Sequence, residues 1–392
     1  MNLIDAGTLN TIIVAALASV GCALVGVFLV VRGMSLLGDA ISHAVLPGIV
    51  IAFLWTGDRD PVPLLVGAVL AGLATAFLTQ TLHRRAGVDG DAGMGIVFTT
   101  LFAIGVLLIG FAGNVDLDAD CVLFGNLTFA PLRLTTIGGW EIPQPVVPLT
   151  LALAIDLLFI GLLWKELGIT SFDPHLAKTL GISATLVHYA LMSAVSVTAV
   201  AAFESVGSIL VIAMMIAPAV TARLLSDRLV GMLLWAAGVA LLSAVCGVLL
   251  AERLDLSHAP VLAVVSGGFT MTALLFSPRQ GWIALGLRRG ALALRIAAED
   301  ILGRLYRHQE RQERTKRLPI VGLTDAGLGD PLRRDEIRGG WLRRRWALVA
   351  LRIRGWIERS PTGYLLTERG LERARDLVRR HRAWELYLSD RL

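Results

Sequence analysis

Nine apolar stretches follow one another between residues 9 and 277, each long enough to cross a hydrocarbon core of about 30 Å as a helix. They occupy residues 9–31, 37–55, 61–82, 94–113, 146–164, 185–203, 206–224, 229–250 and 259–277. A chain inside lipid must satisfy its own backbone polar groups, which leaves only helices and closed barrels. Barrel strands are about half this length and alternate in polarity, and these runs do neither. Proline, glycine and charge mark the joints, as at Asp58-Arg59-Asp60-Pro61, Arg84 to Asp91 and Asp173-Pro174. The first run has no basic segment before it and no small-residue cleavage site after it, so it reads as a retained helix and not a signal peptide. With 55% apolar and 17% charged residues and a mean hydropathy of +0.69, the chain lies outside the soluble range of about 45–50% and about a quarter. A soluble enzyme, a disordered chain and a disulfide-rich module are excluded. The cysteines Cys22, Cys121 and Cys246 are far apart and form no CxxC pair.

Charge divides the chain in two. Residues 1–278 carry 10 Lys+Arg against 17 Asp+Glu, net −7; residues 279–392 carry 26 against 14, net +12, and the two recover the overall +5. A transmembrane body over residues 1–278, a linker over 279–297 and a polar domain over 298–392 are expected. Lys and Arg concentrate in inward-facing loops. With the N-terminus outside, the inner loops hold Arg32, Arg84, Arg85, Lys165, Lys178, Arg223 and Arg228, and the outer ones Arg59, Arg133 and Arg253. An N-out, C-in protein follows, with the basic tail in the cytoplasm; fusing the sixth and seventh runs would invert the tail.

Ionisable groups inside a bilayer are costly and mark partners or pathways. Asp39 and His43 lie four apart in Met34-Ser35-Leu36-Leu37-Gly38-Asp39-Ala40-Ile41-Ser42-His43-Ala44-Val45-Leu46-Pro47-Gly48, so a helix places them on one face. A carboxylate oxygen beside an imidazole nitrogen suits Mn, Zn or Fe(II). It also suits a structural hydrogen bond. Pro47 lacks the N–H that would bond the His43 carbonyl, which loosens the helix at this pair, as in discontinuous transporter helices. Glu204 can add an oxygen ligand or face water. Asp156 and His188 read as interhelical hydrogen-bonding groups. His258 reads as a solvated loop residue, open to a role in metal uptake. The Asp116, Asp118, Asp120 alternation lacks the glycine and the terminal Glu of a calcium loop and reads as a solvated acidic segment.

The three lysines, Lys165, Lys178 and Lys316, do not follow glycine, so the sequence has no GxxxxGK[ST] phosphate loop. The chain is expected not to be an enzyme; if transport is ATP-driven, another subunit binds the nucleotide. The inner segment Ser171-Phe172-Asp173-Pro174-His175-Leu176-Ala177-Lys178-Thr179-Leu180-Gly181-Ile182 is the longest inner connection, with an apolar anchor, a short helical stretch and a glycine stop. It serves either as a contact for that subunit or as an ordinary connector.

Three motifs carry a family resemblance. Gly38-Asp39-Ala40-Ile41-Ser42-His43-Ala44-Val45-Leu46-Pro47-Gly48 resembles the signature of the permease subunits of manganese/zinc/iron ABC importers. So do Leu123-Phe124-Gly125-Asn126-Leu127 and the stretch from Val206-Gly207-Ser208 to Ile216-Ala217-Pro218-Ala219-Val220-Thr221-Ala222. The resemblance covers residues 1–278. It implies an inner-membrane permease with about nine helices that works as a homodimer or heterodimer. The implied partners are cytosolic ATP-binding subunits and an extracytoplasmic metal-binding protein. The cation is cargo, Mn, Zn or Fe, with no permanently bound cofactor. By motif, Asp39 and His43 take the family's metal-pathway positions, and Phe172, Asp173, Leu180 and Gly181 fall in its ATPase-coupling loop. The wording around His43 is closer to the manganese/iron branch than to the zinc branch.

In the tail, the spacing of Ile301, Leu302, Leu305 and Tyr306 predicts an amphipathic helix over 298–317. Leu332–Ile337 and Trp341–Arg354 read as two more helices. Residues 356–359 and 364–366 read as a hairpin, and Thr367 caps a last helix running to about Leu388. Helices followed by a two-stranded wing describe a winged helix, with Arg343, Arg344 and Arg345 opening its recognition helix. The segment from Gly355 to Leu388 resembles iron- and manganese-dependent repressors, matching an Arg-His-x-x-x-Glu pattern with Arg380, His381 and Glu385. The sequence to Leu392 does not carry the further ligands and dimerisation segment that those repressors have downstream. The tail is then a metal sensor, an interaction module or a nucleic-acid binder. The expected whole is an all-α polytopic membrane protein with a small winged-helix-like α+β domain, a metal-importer permease. The alternative is a membrane-anchored metal-responsive transcriptional regulator, for which nine helices exceed the need.

Overall fold

The computed structural model describes residues 5–57, 61–111, 127, 134–137, 140–278, 280–317, 341–359 and 364–389. It divides between Trp282 and Ile283 into two units. The first begins with α1 (Ala6–Val31), followed by α2 (Leu37–Ala44), α3 (Leu46–Thr56), α4 (Pro61–Ala86) and α5 (Gly90–Phe111). A hairpin of β1 (Leu134–Ile137) and β2 (Trp140–Pro143) pairs Leu134 with Pro143 and Ile137 with Trp140. Then come α6 (Val146–Leu162), α7 (Trp164–Phe172), α8 (Pro174–Thr179), α9 (Ala184–Val206), α10 (Ser208–Leu225), α11 (Leu229–Leu254) and α12 (His258–Phe276).

Among the described residues eight helices are long and apolar enough to cross a membrane, counting α2 and α3 as one span, or nine with the bent pair α6–α7. The run expected over 146–164 forms α6 to Leu162, and the chain turns by 76° into α7, because Leu163 leaves helical geometry at φ −101°, ψ 25°. The sixth and seventh runs are separate helices. Gly207 divides α9 from α10 at φ 80°, ψ 162°, a conformation essentially restricted to glycine.

Apolar side chains lie both inside and outside this unit. α1 is its axis, fully burying Val14, Val25, Phe28 and Leu29 against α6, α9, α10 and α11. Leu158, Leu162, Leu234 and Val264 point outward and exposed, which suits a solvent of lipid tails and not water. Helices α2 to α5 pack together, and α9 touches both α2 and α4. Close approach depends on small residues, as between lipid-embedded helices generally. A Cβ on Gly48 of α3 would strike the Gly67 carbonyl of α4, and one on Gly67 would strike that of Gly48.

The second unit contains α13 (Trp282–Arg317), α14 (Trp341–Ile353), the antiparallel strands β3 (Ile357–Arg359) and β4 (Tyr364–Leu366), and α15 (Glu368–Ser389). Residues 279–297, expected as a linker, are helical from Trp282 onward and continuous with the amphipathic stretch. Ile301, Leu302 and Leu305 of α13, Leu348 and Leu351 of α14, Ile357 and Ala374 form one core. Thr367 caps α15 by accepting from the Gly370 N–H at 3.1 Å. Leu332–Ile337 lies outside the described residues, as does the Asp116–Asp120 segment.

Candidate metal pathway

α2 is eight residues long, and α3 begins one residue after it ends. Val45 keeps helical angles, φ −68° and ψ −27°, so the chain continues in the same direction. Val45 N–H still donates to Ile41 O and Ile49 N–H to Val45 O. Pro47, between them, has no N–H to offer His43 O. The result is a 20-residue span with a loosened turn at its polar pair.

One face of α2 is sealed: Leu37, Ala40, Ile41 and Ala44 are buried. Gly38 lies on that face, where an added Cβ would come within 2.6 Å of Met215 Sδ on α10. Asp39 and His43 lie on another face, with His43 Nε2 3.4 Å from Asp39 Oδ1 and side chains 35% and 37% exposed. Two donors 3.4 Å apart, each about 2.1 Å from a cation, subtend about 110° at it, close to a tetrahedral angle. The imidazole is walled by Phe98 and Phe102 of α5, at centroid distances of 5.9 and 5.8 Å. A carboxylate, an imidazole and an apolar wall can strip and hold a first-row dication, but two donors fill only half of its coordination shell. Among the described residues no three His, Cys, Asp or Glu side chains gather. Glu204 occupies the last turn of α9, and its side chain lies outside the described structure.

The other polar groups separate by burial. Asp156 on α6 is fully buried and accepts from Thr198 Oγ1 of α9 at 2.7 Å, the interhelical bond expected of it. His188 on α9 stacks edge-on against Tyr189. His258, expected to be solvated, starts α12 and is half-buried.

Just past the C-terminal end of α1, Arg32 bridges to α7. Its Nε donates to Ser171 Oγ at 3.0 Å and its Nη2 to Thr170 Oγ1 at 2.8 Å, both on α7. Burial lowers its guanidinium to about 10, still charged at neutral pH. Asp173 Oδ1 accepts from the His175 and Leu176 N–H groups and starts α8. Gly181, at φ 77°, ends the segment with Ile182 N–H bonded to Ala177 O. Ala177 is buried, whereas Phe172, Leu176 and Leu180 are exposed. Phe98, Phe102 and Arg32 carry no local sequence signal for these roles, since their partners are distant in the chain.

In the tail, His381 and Glu385 are exposed on α15, and Arg343 and Arg345 on α14; the Arg344 side chain lies outside the described structure. Trp346, Val349 and Ile353 form an exposed apolar stripe on α14, flanked by exposed Arg343, Arg345 and Arg352.

These features define the class: a multi-pass helical membrane protein with an aspartate–histidine pair on one of its spans. Residues 5–277 match the ABC 3 transport family, and the chain belongs to that family. It is 46% identical over 274 residues to the manganese transport system membrane protein MntD of Bacillus subtilis, covering 69% of this chain and 92% of that one. It is 39% identical over 371 residues to the zinc transport system membrane protein TroD of Treponema pallidum, covering 94% and 98%. That second match extends well into the tail. Among solved structures, PsaBC from Streptococcus pneumoniae in complex with Fab superposes with a TM-score of 0.61 at 30% identity, covering 72% of this chain and 96% of that one. As a member of this family the chain is a multi-pass protein of the cell inner membrane.

Proposed function

We propose that this chain is the permease subunit of an ATP-driven importer for Mn, Zn or Fe(II), oriented N-out and C-in. The observation that carries the reading is the half-exposed Asp39–His43 pair, 3.4 Å apart on a helix loosened at Pro47. The manganese and zinc transport named for its relatives supports the same cargo class. The pair supplies half a coordination shell, and a second permease copy facing it supplies the other half. The cation leaves an extracytoplasmic binding protein, sheds part of its water and passes between the two pairs. Helix rocking then exposes it to the cytosol.

The motion needs an ATP-binding partner. Phe172, Leu176 and Leu180 form an exposed apolar knob, with Leu176 and Leu180 one helical turn apart. Arg32 ties α7, just before the knob, to the buried axis helix. We assign Phe172, Asp173, Leu180 and Gly181 to coupling on this ground. The winged-helix-like tail acts as a protein-interaction module, for which Trp346, Val349 and Ile353 supply an exposed apolar stripe between arginines. No feature favours the regulator reading over transport.

The test is radiotracer uptake of each metal into proteoliposomes that hold the permease with or without its co-expressed ATPase. ATP-dependent accumulation of at least one metal is expected. Equal uptake without the ATPase, or none for any metal, contradicts the proposal.

A further inference from the structure

α13 begins six residues after the last span ends at Phe276. Its first half differs from its second. Ile301, Leu302 and Leu305 are buried in the tail core, but Trp282, Ile283, Leu285, Leu287, Leu292 and Ile296 are exposed, Leu287 at 70%. Isolated apolar residues on a surface need no explanation, whereas six within fifteen residues of one helix do. Helical spacing arranges them around an apolar arc of about 220° centred on Gly286, Gly290 and Ala293. Arg288 and Arg295 stand seven residues apart on the opposite side, Arg295 also paired with Glu299 at 3.1 Å. From Arg279 to Ala298 the sequence has four arginines and no acidic residue, the next being Glu299.

A wide apolar face, a tryptophan at its start, an arginine back and a hydrophobic span just upstream describe a helix that lies in a membrane–water interface. We infer that residues 282–296 form an interfacial helix that buries its apolar arc among lipid acyl chains and holds anionic headgroups with its arginines. Charge selects this occupant, because an uninterrupted basic segment beside a span attracts acidic lipid. Arg289 falls within the apolar arc, between Ile296 and Trp282, and reaches the headgroups by extending its aliphatic stem along the interface. The inference depends only on the chain crossing a membrane and stands whether or not a metal passes.

The test uses the full chain in nanodiscs. In a background with Cys22, Cys121 and Cys246 replaced by serine, nitroxides are attached to Ile283→Cys, Leu287→Cys, Ala284→Cys and Ala291→Cys in turn. In discs containing phosphatidylglycerol, labels at 283 and 287 should collide more with oxygen than with a water-soluble nickel chelate, and those at 284 and 291 the reverse. Equal nickel access at all four positions means a solvated connector and overturns the inference. Shielding of all four from both reagents means a protein covers the helix and overturns it as well. The unmodified chain provides a second readout. Trypsin should lose its cleavage at Arg288 and Arg289 in phosphatidylglycerol discs relative to discs of phosphatidylcholine alone, and equal cleavage in both contradicts the lipid contact.

Discussion

Two carboxylates lie within the apolar body and meet opposite fates. Asp156 is fully buried between α6 and α9, bonded to Thr198 at 2.7 Å. Asp39 is 37% exposed and stands beside an imidazole on a helix that cannot close its hydrogen-bond ladder. One fastens helices together. The other is partly exposed, with an imidazole nitrogen 3.4 Å away. In the proposed function only this second acid is a candidate for the cation's path, because such a role needs access and a neighbouring ligand as well as charge.

The sharpest way to break this contrast is to remove each acid in turn. Asp39→Ala should reduce metal uptake to background in the proteoliposome assay, with membrane insertion and subunit assembly unchanged on size-exclusion chromatography. Uptake at the wild-type level would place Asp39 beside Asp156 as a structural group. Leu180→Asp should come next in effect. It puts a charge on the coupling knob, so metal-stimulated ATP hydrolysis should fall severely while metal binding by the isolated permease persists. Gly38→Ala introduces a Cβ within 2.6 Å of Met215 Sδ, an overpacking that costs about 1–3 kcal/mol. Thermal unfolding in detergent should register it, and Met215→Ala in the same chain should restore the loss. Asp156→Ala is the mildest. It removes one interhelical hydrogen bond, worth about 0.6–1.7 kcal/mol in a membrane protein, and transport per folded molecule should be retained.

Much of this was legible because lipid imposes length and polarity rules that residues obey locally. The apolar runs become helices close to their expected bounds, the Pro47 break falls beside His43, and Asp173 and Thr367 cap the helices they precede. What escaped is of two kinds. The β1–β2 hairpin had a readable signal, Leu134-Thr135-Thr136-Ile137 and Trp140-Glu141-Ile142 around two glycines, hidden by its position in an acidic loop. The 76° turn at Leu163, the aromatic wall of Phe98 and Phe102 and the anchoring of Arg32 on Thr170 and Ser171 had none. They arise from packing between segments far apart in the chain, and no local periodicity encodes such packing. The linker expected over 279–297 shows a third pattern. Its basic apolar composition was visible, but helical continuity into α13 depends on the tail core that holds the helix's far end.

The central claim is that His43 and Asp39 ligate the transported ion. Pulsed EPR of Mn(II) bound to the purified full-length permease tests this directly, because a ligating imidazole nitrogen modulates the manganese echo. The account predicts nitrogen modulation in the wild type that vanishes in His43→Ala and persists in His188→Ala. The same modulation surviving in His43→Ala would contradict it.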